Sequence, residues 1–153
     1  MKRLILLVFI LGFQTLSAQE TEIKNQIALF FKGLESGDST LVAQAISSNI
    51  IMETAFKDKK GVEQSRRMDR GQFLLGVASK KPEDVYQEKL LSYNIQVDGN
   101  LASVWTPYEF YYNGSFSHCG SNSFQMVRNE GVWKIVYIID VRKRNTCKAL
   151  ESK

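Results

Sequence analysis

The stretch YYNGSFSHCGSNSFQMVRNEGVW, residues 111–133, holds two hairpin signals with a strand-length run between them. Asn113-Gly114 is the dipeptide best suited to the left-handed backbone of a two-residue turn, and Glu130-Gly131 repeats the signal. Residues 116–128 have the length and composition of the strand between those turns. Working outward, residues 101–112 and 132–142 are rich in aromatic and β-branched side chains and read as the flanking strands. Asp98-Gly99-Asn100 supplies a further turn, and residues 85–97 read as one long strand before it. Everything after Pro82 is therefore expected to form an antiparallel sheet.

The first half is helical. Ile23, Ile27, Phe30, Phe31 and Leu34 recur at helical spacing. Ser36-Gly37 stops that helix, and Asp38 is placed to cap a second one bearing Leu41, Val42, Ala45 and Ile46. Residues 50–56 are short and β-prone, and Asp69 can cap a short helix over GQFLLGVAS. The basic cluster Lys57, Lys59, Lys60, Arg66, Arg67 and Arg70 is broken by Asp58, Glu63 and Asp69, which predicts a solvated loop rather than an anion site. Helices first and strands afterwards make an α+β chain.

Before that domain stands MKRLILLVFILGFQTLSAQE. Lys2 and Arg3, an apolar run over residues 4–11 and the small residues Ser17 and Ala18 match a secretory signal peptide cleaved near Ala18. The expected organisation is thus a leader over 1–18 and one domain over 19–153, exported to the periplasm or beyond. With 44% apolar and 11% aromatic residues, the chain has material for one core. The leader carries two of the positive charges and no acidic residue, so the formal net charge of +4 becomes +2. That balance selects neither nucleic acid nor a membrane surface as partner.

Register decides which side chains share a face, because a one-residue slip inverts them all. A two-residue loop at Asn113-Gly114 puts Tyr112 opposite Ser115 and Glu109 opposite His118. At Glu130-Gly131, a two-residue loop joins Trp133, Ile135, Tyr137 and Ile139 to the face of Met126, Phe124, Asn122 and His118. A three-residue loop sets those aromatics beside polar residues instead. Burying large apolar side chains favours the first choice, at roughly 1.5–3 kcal/mol each. One face then carries Leu101, Trp105, Pro107, Glu109, His118, Asn122 and Tyr137. The other carries Tyr108, Cys119, Ser121, Ser123, Asp140 and Arg142. An apolar surface with polar groups gathered at one end suits a pocket for a small apolar or aromatic molecule.

Several strings resemble the nuclear transport factor 2-like, or ketosteroid isomerase-like, superfamily: FFKGLESGDSTLVAQAI, VWTPYEFYYNG, FSHCGSNSFQMV and VWKIVYIIDVRKRNTC. Within it, Trp105, Pro107 and Tyr108, His118-Cys119-Gly120, Asp140, Arg142 and a late Cys147 are similar to a bacterial branch labelled lumazine-binding. The resemblance implies a cone-like fold, a strongly curved antiparallel sheet wrapped on N-terminal helices, with a pocket at one end. Such proteins often pair as homodimers through the outer sheet face. Members include isomerases, dehydratases, cyclases and non-catalytic binders, so the resemblance leaves the activity open.

A metal site is disfavoured, since one histidine and two cysteines fall short of the usual zinc set. Strand alternation also sends His118 and Cys119 to opposite faces, which opposes a shared metal and a Cys–His nucleophile alike. Two cysteines in an exported chain read as one disulfide, Cys119–Cys147, formed if the tail KRNTC folds back over the sheet. His118 is either a hydrogen-bonded residue at the pocket end or, with Glu109 or Asp140, a general acid or base. Asp140 and Arg142 either pair or hold an acidic ligand. Trp105, Tyr108, Asn122, Tyr137 and Arg142 are the candidate ligand contacts. No cofactor is expected. The functions that follow are an exported small-molecule binder, a small enzyme of isomerase or dehydratase type, or a dimeric interaction module.

Overall fold

The computed structural model describes residues 2–143 and Cys147, with side chains from residue 17 onward. In chain order the elements are α1 (Lys2–Ser36), α2 (Ser39–Ala45), β1 (Ile46–Lys57), β2 (Glu63–Met68) and α3 (Arg70–Ala78). Then come β3 (Tyr86–Leu90), β4 (Asn94–Asp98), β5 (Leu101–Tyr112), β6 (Ser115–Asn129) and β7 (Val132–Lys143). The seven strands form one sheet in the order β2-β1-β7-β6-β5-β3, with β4 also on β5. The α+β class expected from the sequence is the observed one. Among the described residues no helix is long and apolar enough to cross a membrane.

The helical half follows the local signals. Residues 2–18 of the expected leader are the first part of α1. At the far end of α1, Gly37 takes φ +74°, the Asp38 N–H reaches the Gly33 carbonyl and the Gly37 N–H that of Leu34. These are the paired bonds of a Schellman stop. The Asp38 carboxylate then accepts from the Thr40 and Leu41 amides to open α2. Asp69 does the same for α3 through the Gln72 amide. Gly33 is a close-approach position: a β-carbon there would lie 2.6 Å from the Val42 side chain, so glycine sets how tightly α1 and α2 pack.

Ile23, Ile27, Phe30 and Phe31 of α1 are buried against Val104, Phe124, Met126 and Ile135 of the sheet. Phe124 takes edge-to-face contacts from Phe30 and Phe31, with centroids 6.3 and 6.2 Å away. Each such side chain removed from water contributes roughly 1.5–3 kcal/mol, which fixes the helices on this face.

Four expectations need correction. The basic loop is in part a strand: residues 63–68 form β2, paired with β1 at the sheet edge. β1 pairs in parallel with β7, so the sheet is not wholly antiparallel. The long strand over 85–97 is two strands, β3 and β4, both on β5. The break sits beside Pro107, whose missing N–H interrupts the ladder on that edge. The fourth correction is register. Both two-residue loops are present, with Asn113 and Glu130 at φ 50° and Tyr112 opposite Ser115. Past the first turn, however, Tyr111 faces Phe116 and Phe110 faces His118, leaving Ser117 as an extra residue. On β7, Met126 faces Ile135 and Gln125 faces Tyr137, leaving Val136 extra.

Each bulge inverts what lies beyond it. Ala102, Val104, Thr106, Tyr108 and Phe110 therefore share the inner face with His118, Asn122, Phe124 and Met126. Asp140 and Arg142 join them opposite Asn122 and Gly120. Trp105, Glu109 and Tyr137 are on the outer face.

Cys119 and Cys147 form the expected disulfide, with Cα atoms 5.7 Å apart and a sequence separation of 28. Of the tail KRNTC, Lys143 and Cys147 are described and the rest lies outside the described residues. Closing that loop stabilises the fold by about 3–4 kcal/mol in the chain-entropy account. Replacing both cysteines by serine is expected to lower the unfolding free energy by about 3 kcal/mol, with a matching loss on adding reductant to the wild type. Denaturant titration of the oxidised, reduced and doubly substituted proteins checks this, and equal midpoints would refute it.

Candidate functional site

Between α1, α3 and the inner sheet face lies a cavity of about 510 Å³. That is ample for a small organic molecule. Phe31 and Leu34 come from α1, Phe73, Gly76 and Val77 from α3, and Tyr86, Tyr108 and Phe110 from the sheet. α3 reaches the cavity because its Asp69 cap starts it directly after β2, and alternation on β3 and β5 supplies the opposite wall.

Polar groups line the cavity from both sides, Glu35 on α1 and Gln72 on α3 among them, with the larger set on the sheet. Glu88 of β3 accepts a 2.8 Å hydrogen bond from the Asn122 amide, and that amide lies 3.5 Å from the Thr106 hydroxyl. The Glu88 backbone N–H points at the Glu35 carboxylate, 3.4 Å away. Burial, offset in part by the Asn122 bond and reinforced by nearby Asp140, pushes the Glu88 carboxyl up to about 7. Desolvation is the leading cause because the charged form loses water that one amide does not replace. Asp140 accepts from the Arg142 Nε–H at 2.8 Å. The Tyr108 ring packs beside that pair, with its hydroxyl donating to the Val141 carbonyl at 3.4 Å. Burial and the neighbouring Asp140 and Glu88 charges raise the Tyr108 phenol well above its ordinary range. Gly120 makes room for this ring, since a β-carbon there would stand 2.6 Å from the Tyr108 hydroxyl oxygen.

His118 stacks on Phe110 with centroids 4.8 Å apart, and meets Tyr108 edge-on at 5.9 Å. Its Nδ1 lies 3.1 Å from the hydroxyl of Ser117, the bulge residue. His118 and Arg142 also line a second groove of about 1030 Å³ formed with Phe56, Lys57, Glu63, Gln64 and Lys143. A deeper recess of about 110 Å³ reaches Glu88, Asn122 and Asp140 from the core side. Among the described residues no three His, Cys, Asp or Glu side chains are grouped to share a metal ion.

Of the residues singled out from sequence, His118, Tyr108, Asp140 and Arg142 meet at the cavity, and Asn122 lines the adjoining recess, bonded to Glu88. The expected His118–Glu109 facing pair is absent. Glu109 lies opposite Cys119 and binds the Tyr111 hydroxyl at 2.9 Å and Lys89 at 3.8 Å. Trp105 is half exposed on the outer face, opposite Ser123. Tyr137 donates to Glu53 at 3.1 Å, away from the cavity. All three displacements follow from the two bulges. Glu88 is the group that sequence reading missed. The one available signal was the alternation of Tyr86, Glu88 and Leu90 in YQEKL, which sets a carboxylate between two apolar inward positions.

The raised Glu88 carboxyl has a sign that can be measured. Its folded value exceeds its unfolded one, so the stabilisation it gives is complete below about 4.5 and lost as pH rises through about 7. The loss is on the order of 3 kcal/mol. Glu88→Gln is therefore expected to gain roughly that much relative to wild type between pH 4.5 and pH 8, read from urea midpoints at both ends. A constant difference across that range would refute the assignment.

No model of a known protein family matches this sequence. No curated protein matches it either. Solved structures do match in fold. An NTF2-like protein of unknown function from Shewanella baltica aligns over 83% of this chain and 95% of its own, at 15% identity and TM-score 0.61. An NTF2-like protein with a cystatin-like fold from Novosphingobium aromaticivorans covers 90% of each chain at 14% identity, with TM-score 0.67. A protein assigned as the beta subunit of an aromatic-ring-hydroxylating dioxygenase from the same organism covers 84% and 92%, at 12% identity and TM-score 0.67. At these identities the likeness is one of architecture, and the chain has the NTF2-like α+β fold, helices laid across a curved open sheet.

Proposed function

We propose that this chain is an exported binding protein for a small apolar or aromatic molecule. The observation that carries the reading is the cavity of about 510 Å³, walled by Phe31, Leu34, Phe73, Val77 and Phe110, with a smaller set of polar side chains among them. Apolar walls supply affinity, and a few placed polar groups supply orientation. His118, Tyr108, Asn122, Asp140 and Arg142 are the residues assigned to that second role, with Glu88. Export is supported by the basic-then-apolar opening of the sequence and by the Cys119–Cys147 disulfide, a bond that persists in oxidising compartments.

Gly76 gives a direct test. It lines the cavity, and a β-carbon added there meets nothing within 4 Å. Gly76→Phe should therefore fill the cavity while removing a helix-weakening glycine. The variant is expected to melt no lower than wild type and to bind a neutral dye such as Nile red at least about tenfold more weakly. Equal dye binding by the two proteins, or none by the wild type, would sink the proposal.

A second reading, acid–base catalysis, is favoured by one observation: Glu88 holds its proton up to about 7 inside the same cavity as His118 and Asp140. A carboxyl poised there can give or take a proton at neutral pH. If the protein catalyses proton exchange next to a ketone carbonyl, followed by deuterium uptake in NMR spectra, Glu88→Gln or His118→Ala should slow it about 100-fold. Rates unchanged in both variants exclude this role.

A further inference from the structure

Arg142 lies where the apolar cavity, the deeper recess and the groove come together, and it lines all three. Its Nε–H is committed to Asp140 at 2.8 Å. A guanidinium has five N–H donors in a rigid fork, so the edge formed by its two terminal nitrogens is the one that can meet a ligand. That fork matches a carboxylate in shape and charge. The Arg142 side chain is 58% exposed, so a charged group meeting it stays partly hydrated.

The surroundings of Arg142 differ on its two sides. Toward the groove stand Lys143 and His118, and among the described residues its one carboxylate, Glu63, is paired with Lys57 at 3.1 Å. On the cavity side stand Glu88 and Asp140 beside aromatic and aliphatic walls, with Lys80 and the exposed Glu35 also in the lining. An anionic group is therefore favoured at Arg142 over the Glu88 side. An apolar body is favoured in the opposite sense. A cationic group drawn toward Glu88 would have to give up its water in the desolvated part of the site, which is costly.

We infer that the ligand is an amphipathic acid, with its carboxylate on the Arg142 fork and its apolar body in the cavity between α1, α3 and the sheet. This deepens the binding reading above and rests on it. His118, stacked on Phe110 at the same junction, flanks the point where head and body of the ligand join. Asp140 acts as a positioning residue that holds the fork toward the opening, without contacting the ligand itself.

The test uses three probes with one ring system and different heads: naphthylacetate, naphthylethanol and naphthylethylamine, titrated calorimetrically into the full-length, disulfide-bonded protein at neutral pH. The acid is expected to bind about tenfold or more tighter than the alcohol, as a charge-assisted hydrogen bond implies, and the amine weakest. The advantage of the acid should shrink with added salt, because the Arg142 side chain is half exposed to solvent. Arg142→Gln should bring the acid to the level of the alcohol, and Arg142→Lys should keep part of the difference. The ranking in the wild type stands whether or not either variant folds. Equal binding of acid and alcohol, or an amine that binds best, overturns the inference while leaving an apolar binding cavity. Failure of all three probes overturns it too. Failure of the binding reading itself is read separately, from the neutral dye and Gly76→Phe.

Discussion

A β-strand shows its side chains to two sides in strict alternation, and in this sheet that constraint is relaxed at Ser117 and Val136. Each extra residue shifts the pairing by one, so each inverts the strand beyond it. Ser117 turns Tyr108 and Phe110 inward against the helices. Val136 turns Asp140 and Arg142 inward opposite Asn122 and Gly120. Remove either insertion and half of the polar constellation would face solvent, with Glu109 or Tyr137 in its place. The helices are set by the apolar pattern of α1, but the content of the cavity is set by these two residues. Gly120 completes the arrangement, because only a residue without a side chain leaves room for the Tyr108 ring.

The cavity joins two electrostatic regimes. At the deep end, Glu88 has one amide donor and little water, so its neutral form persists up to about 7. Near the opening, Asp140 and Arg142 satisfy one another, and the guanidinium keeps contact with solvent. The Glu88 shift therefore follows first from burial, with neighbouring carboxylates adding to it. Asp140 has a cation bonded directly to it, whereas Glu88 has an amide dipole and the repulsion of its neighbours.

The helical half was legible residue by residue: Ser36-Gly37 as a stop, Asp38 and Asp69 as caps, and the buried stripe from Ile23 to Phe31. The three turns, the two long hairpins and the disulfide were legible as well. What the sequence hid was register. Strand β5 carries large apolar groups on both faces, Trp105 on one and Val104 and Tyr108 on the other, so its pattern does not say which side is inner. A bulge at a serine leaves no compositional mark either. The same ambiguity hid Glu88, because a charged residue in a short strand ordinarily marks the solvent face. Residues 63–68 read as loop for a related reason: β2 is a polar edge strand, held by pairing with β1 rather than by an apolar face.

Both lateral borders of the sheet are poor templates for a further strand. One is β2, six residues long, with Glu63, Arg66 and Arg67 along it. The other is divided into β3 and β4, five residues each, on either side of the gap beside Pro107. Short, charged or interrupted borders offer few consecutive backbone donors and acceptors to an incoming chain. The interruption that denied the sequence its one long strand thus has a use of its own: it leaves no continuous edge on that border for another chain to pair with.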